Sequence, residues 1–467
     1  MTGSSNASGA SRANASNASN AHVIDMTVGA PTPHLINYAV PLVLANVLQL
    51  SYNAFDAIIV GRFISKEALA ATGMASPVMN LLILGISGLT MGAGVLMSEC
   101  FGARDHRRFR RALATTLITG LIVAVAVAVV GIACTRPLLT LLNVPPEAFD
   151  MTAVYLRITF LGVPFTYCYN ALAAGLKSAG DSRTPLTYLS VAIVVNAVLD
   201  AVCIGWLGFG IDWAALTDVL AQGFAAAATG VAMIRRMPDF RIRRDEWRVD
   251  RTLLGMIWRY GSVTALQQSI QPICKLIIQG AVNTLGVDVI AAFNAVTRVD
   301  DFAFTPQQSI SHGITTYVAQ NRGAGRGERI RPGLRAGLRL EFAYWVIIGA
   351  TVLLLNRPIM GLFVTADQTR VVDLGCQYLT TMALFYLFPS FTNGIQGFFR
   401  GMGNMSVTLI STFIQASLRA VFTWLLIGRL GMYGISFACA IGWSCMLLFE
   451  VPYYFISSSR NFRPSIA

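Results

Sequence analysis

LATTLITGLIVAVAVAVVGIAC, residues 113–134, runs for 22 residues without a charged side chain. Coiled as an α-helix at about 1.5 Å per residue, such a run crosses the roughly 30 Å hydrocarbon core of a bilayer. The pattern recurs along the chain, for instance from Ala343 to Asn356 and its flanks. Of the 467 residues, 55% are hydrophobic and 12% charged, with a mean hydropathy of +0.59. Soluble chains carry about 25% charged residues to clothe their surface. The buried helices of a large soluble enzyme would show polar faces at helical period, and these segments lack them. The fold class expected is therefore an all-α integral membrane protein.

The net charge of +12 does not point to nucleic acid, because the arginines lie in short clusters between apolar spans. Eight cysteines, none in a CxxC, fall mostly inside apolar spans, and the four histidines are scattered. Neither a disulfide framework nor a zinc site is expected, and no nucleophile–base constellation of an enzyme is found within the spans.

Twelve spans are expected, at 35–61, 68–98, 112–134, 151–174, 185–206, 213–234, 253–283, 288–319, 336–355, 372–397, 407–428 and 432–456. The loop after the second holds Arg104, Arg107, Arg108, Arg110 and Arg111. The loop after the sixth holds Arg235, Arg236, Arg241, Arg243, Arg244, Arg248 and Arg251, and that after the eighth Arg322, Arg326, Arg329, Arg331 and Arg335. An even number of spans separates these clusters, so they share one face. By the positive-inside rule that face is cytoplasmic, which places both termini inside a cytoplasmic (inner) membrane.

The chain also repeats itself. Leu69-Ala70-Ala71 lies 221 residues before Ile290-Ala291-Ala292, and the same offset lays Arg108 on Arg329. An offset of 223 pairs Asn170 with Asn393, Lys177 with Arg400, and Gly180-Asp181 with Gly403-Asn404. The implied organisation is a Ser/Asn/Ala-rich disordered tail (1–34), an N-lobe (35–234), a basic linker (235–252), a C-lobe (253–456) and a short tail (457–467). Six spans per half is even, so the lobes are expected as two six-helix bundles about a pseudo-two-fold axis normal to the membrane. That is a transporter layout.

An ionisable side chain in the hydrocarbon region is costly and marks function by default. Asp56 sits within span 1, in LSYNAFDAIIVG, near enough to its outer end that an interfacial position is an alternative. On span 5, Asn196 and Asp200 are four apart and share a helical face. On span 6, Asp218 and Gln222 share that spacing. A carboxylate-and-carboxamide pocket suits a hard monovalent cation or a shared proton. The second half differs: Ile277 superposes on Asp56, and Arg419 falls near the equivalent of Asn196. Arg298 and Asp301, three apart, are expected to pair within their helix. Lys275 either snorkels or, with Gln267, Gln268, Gln271 and Gln279 around it, lies on a cavity-facing helix.

From about residue 35 to 456 the chain resembles the multidrug and toxic compound extrusion (MATE) transporters. The resemblance is carried by PLVLANVLQLSYNAFDAIIVGRF, GARDHRRFRRAL, NALAAGLKSAGDSRTPL, VVNAVLDAVCIGWLGFG and VAQNRGAGRGERIRPGL, in that order. It implies twelve helices in two lobes, alternating access, and export of organic cations in exchange for H⁺ or Na⁺. The family's N-lobe cation site falls on Asp56, Asn196 and Asp200, the Na⁺ candidates, with Asn170 as a neighbour. Gln49, Asn53, Gln271 and Lys275 are the further cavity candidates. Where the family leads one to expect a small residue followed by Thr on helix 6, the sequence has Thr217-Asp218, so Asp218 joins the coupling candidates. No cofactor beyond the coupling ion is implied, and a monomer in the lipid bilayer is expected. The alternative is a flippase for lipid-linked precursors, which would need a cavity lined by arginine.

Overall fold

The computed structural model of the chain describes residues 23–142, 144–364 and 368–458, with the side chains of 53–58, 66, 67, 69, 457 and 458 excepted. Among the described residues the regular structure is all helical. The first half comprises α1 (Pro31–Ile59), α2 (Lys66–Gly102), α3 (His106–Ala133), the short α4 (Thr135–Leu141), α5 (Pro146–Ser178), α6 (Arg183–Asp200) and α7 (Ile211–Arg236). The second comprises α8 (Arg251–Val282), α9 (Val287–Gly323), α10 (Gly327–Gly361), α11 (Thr369–Phe385), α12 (Leu387–Gly401), α13 (Met405–Leu430) and α14 (Met432–Ser458).

Nine of these helices are long and apolar enough to cross a membrane unaided, and α11 with α12, bent by 47°, makes a tenth span. Apart from the seven-residue α4, the two that fall short are α8 and α9, of 32 and 37 residues. Their length is ample. What they lack is apolarity, because α8 carries Gln267, Gln268, Gln271 and Lys275, and α9 carries Asp300, Asp301, Gln307 and His312. Helices that are polar at membrane depth must face protein or water-filled space. With them the chain has its twelve spans.

Helix starts are set by side-chain caps. The Ser65 hydroxyl accepts from the Ala68 N–H at 3.0 Å, and Asp105 Oδ1 from the Arg108 N–H at 2.8 Å. Asp181, just before α6, accepts from the Thr184 N–H at 2.9 Å and from the Thr184 hydroxyl at 2.5 Å. Each satisfies a donor that the first helical turn leaves open. The repeat is visible in the backbone. Gly180 after α5 and Gly403 after α12 both have positive φ, 84° and 73°. Arg104 and Gly325, 221 residues apart, are likewise left-handed, at 55° and 69°.

Two compact units divide the chain. One holds Leu44–Ile86 and Leu96–Trp258; the other holds Met26–Val43, Ser87–Val95 and the chain from Arg259 onward. In the first, α5 packs on α3 and α7, and α6 on α7. In the second, α9 packs on α10 and α12, and α13 on α14. The basic segment 235–252 belongs to the first unit, where Phe240 lies against Phe101, His106 and Phe109 at 4.6–5.6 Å between rings. Buried there, Arg110 grips Glu246 with two hydrogen bonds of 2.6 and 2.8 Å and donates a third to the Asp239 carbonyl. The guanidinium holds the Glu246 carboxyl well below the usual carboxylate range.

One expected ion pair is corrected. Asp301 does not bond Arg298 along α9; its carboxylate receives the Lys275 ammonium of α8 at 2.6 Å. The pair bridges two helices at half-exposed positions, so which basic group reaches Asp301 is set by the register between α8 and α9 and not by spacing along α9.

Candidate functional site

In the first unit the site grows from the ends of two helices. Helix α6 stops at Asp200 and continues as a π-helical turn, Ala201–Trp206; α1 stops at Ile59 and continues as another, Val60–Ile64. π turns are rare and leave carbonyls short of their ordinary partners. The two pack together over an apolar cluster of Ile59, Val60, Ile204, Ile211 and Ala214. No local signal marks the turns themselves; the acids just before them, Asp56 and Asp200, are the legible part.

Asp200 is 1% exposed, and its Oδ1 accepts a 2.5 Å hydrogen bond from the Thr217 hydroxyl of α7. One turn back, Asn196 is also 1% exposed, and neither its amide nitrogen nor its amide oxygen has a partner among the described residues. Fully buried amides are almost always satisfied, and Asn196 here leaves both a donor and an acceptor open beside Asp200. Asp218, beside Thr217 in the chain, is half-buried and accepts a 2.5 Å hydrogen bond from the Tyr52 hydroxyl of α1. Tyr52 lies four residues before Asp56, on the same face of α1. The side chains of Asp56 and Asn53 lie outside the described residues. Asn170 is half-buried and donates along its own helix to the Thr166 carbonyl at 2.8 Å; Gln49 is half-buried on α1.

Thr217 and Tyr52 were the residues sequence reasoning missed. Both had a signal. The tight turn at Gly208 and Gly210 brings α7 back along α6, so a hydroxyl a few residues into α7 must meet Asp200. Tyr52 stands at helical spacing from Asp56.

The second unit encloses a cavity of about 230 Å³, reached by Lys275, Gln271, Asp301, His312, Arg400 and Arg419 among others. Gln271 donates to Gln415 at 2.9 Å, and Gln267 to Thr412 at 3.0 Å, so the amides of α8 knit it to α13. Both second-half candidates, Gln271 and Lys275, thus reach one cavity. Next to it on α9, Asp300 is buried and held by two phenols, Tyr378 and Tyr386, each at 2.6 Å.

The MatE family model matches the chain twice, over residues 41–202 and 264–425, displaced by 223 residues at both ends. Among curated relatives, the probable multidrug resistance protein YpnP of Bacillus subtilis is 27% identical, over 88% of this chain and 92% of its own length. The probable multidrug resistance protein NorM of Thermotoga maritima is 25% identical over 86% and 87%. A solved outward-facing conformation of a multidrug resistance MATE family transporter, 21% identical, superposes with a TM-score of 0.86 over 94% of this chain and 98% of that one. It shares the fold of twelve membrane-spanning helices in two bundles. With the family model laid over each half of a chain of that fold, this protein belongs to the MatE family and is a membrane transporter.

Proposed function

We propose that this transporter exports small organic cations and drugs across the cytoplasmic membrane in exchange for H⁺ or Na⁺, coupled through Asp56, Asn196, Asp200 and Asp218. The observation that carries the reading is the pair Asn196 and Asp200, both buried in a membrane helix and, among the described residues, the one with no partner and the other with a single hydroxyl. A carboxylate in so poor a setting is costly to keep ionised without a companion. A proton or a Na⁺ supplies that companion, and exchanging it with each cycle makes the carboxylate the coupling element. The multidrug resistance names of the relatives support the cargo class. Their likeness leaves the choice of ion to the residues, and the second acid at Asp218 favours protons, since neighbouring carboxylates cannot all stay ionised.

The test is ethidium uptake into inside-out vesicles under an imposed pH or Na⁺ gradient. Wild type concentrates the dye under one of them. Asp200→Asn, equal in shape and unable to exchange a cation, inserts normally and loses uphill uptake. Uphill transport by that variant at the parent rate would refute the assignment. One observation favours the flippase reading as a second: the second-unit cavity is reached by Arg400 and Arg419.

A further inference from the structure

We infer that the second-unit cavity is a binding site for an oxyanion group, a carboxylate or phosphate, carried on the transported molecule. It rests on the transporter reading and deepens it, extending the cargo from cations to zwitterions and anions. Arg400 of α12 and Arg419 of α13 reach this cavity from two helices, 6% and 9% exposed. The Nε of each is buried with no hydrogen-bond partner. A buried guanidinium without a full set of acceptors is under heavy desolvation cost, and its planar fork fits a carboxylate or phosphate better than any other group.

The acids nearby do not meet that need. Asp301, the one carboxylate reaching the cavity, is taken by Lys275 at 2.6 Å. Asp300 acts on Arg419 through space but gives its two oxygens to Tyr378 and Tyr386. Glu450 acts on Arg400 through space and makes no direct hydrogen bond to it. Arg400 makes one direct bond, to the Ser311 hydroxyl at 2.7 Å. His312 also reaches the cavity. Among the described residues, the groups charged at neutral pH at its surface are three cations, Lys275, Arg400 and Arg419, and one acid, Asp301. The rest of the wall is suited to the body of such a molecule: the Gln271 and Gln415 amides hydrogen-bond each other rather than an anion, and Phe304 and Trp443 offer aromatic surface.

Binding by the purified full chain in detergent separates this site from coupling, because it needs no gradient. Rhodamine B, which bears a carboxylate, and rhodamine B ethyl ester, which does not, are compared by fluorescence anisotropy, with undecaprenyl pyrophosphate as competitor. Wild type is expected to bind the acid about tenfold tighter than the ester, as charge-assisted pairing predicts. Arg419→Gln and Arg400→Gln each abolish that preference while leaving ester binding intact, which also certifies their fold; Arg419→Lys restores part of it. If the dye pair shows no preference but the lipid competes and loses potency in both variants, the oxyanion site stands and the cargo is the flippase's. Ester and acid bound alike, with the lipid inert or insensitive to both substitutions, would overturn the inference.

Discussion

Thr217 and Asp218 are neighbours in the chain, yet a helix turns about 100° per residue, so they meet different partners. The hydroxyl reaches Asp200 on α6, and the carboxylate reaches Tyr52 on α1. Asp300 and Asp301 divide the same way, one between buried tyrosines and the other on Lys275. The two substitutions on α7 should therefore separate. Thr217→Val keeps the volume and removes the one donor to Asp200 among the described residues. A hydrogen bond to a charged group is worth about 1.5–3 kcal/mol, so the half-saturating concentration of the coupling ion should shift roughly tenfold or more. Asp218→Thr leaves that donor in place and should instead weaken the dependence of transport on the pH gradient. Vesicle assays over a series of pH and Na⁺ values measure both. A parent-like pH response in Asp218→Thr would remove this acid from the coupling set.

At the scale of elements, the segment 235–252 is more than a tether, because Glu246 in it is clamped by Arg110 at the start of α3. The pair is buried, and removing one partner of such a pair leaves an uncompensated charge at a cost of about 3–5 kcal/mol. Glu246→Gln should lower the melting temperature of the purified protein near neutral pH. The sign of the pH dependence follows from the depressed carboxyl. Its contribution is complete above the ordinary glutamate value and is lost as pH falls toward the folded value, where the carboxylate takes up a proton in both states. Melting curves of wild type and variant should converge as the pH is lowered below about 4. A gap that persisted at low pH would mean that packing and not charge carries the effect. The sequence made the segment legible as basic, since arginine clusters stand out against apolar spans. It did not show the clamp, because nothing local says which of the segment's four acids will be buried against an arginine of another cluster. The same limit holds at the proposed coupling site. Asp200 and Asn196 were found by helical spacing within one element, whereas Thr217, Tyr52 and the Lys275–Asp301 pair depend on the register between elements.

Across the whole chain, the arginine clusters and the helix count constrain each other. If each long helix crosses once, the loop before α3 and the segment after α7 are separated by α3, α5, α6 and α7, an even number, and so lie at one membrane face. The structure supplies an independent check within the first unit: Arg110 bonds Glu246, and the Asp250 N–H donates to the Thr115 hydroxyl at 3.2 Å, so the two segments meet. At the far end of α3 stands the opposite loop, where Arg136 and Asp150 pair in the open at 3.1 Å. Which face is cytoplasmic then follows from charge alone, because arginine-rich short loops are retained inside. The topology predicts opposite labelling of two exposed positions. In intact cells a membrane-impermeant maleimide should modify Arg136→Cys, made in a Cys134→Ser background, and should leave Arg241→Cys unmodified until the cells are opened. Both positions labelled from outside would break the even count. The reverse pattern, Arg241→Cys alone from outside, would turn the molecule over and take the proposed direction of export with it.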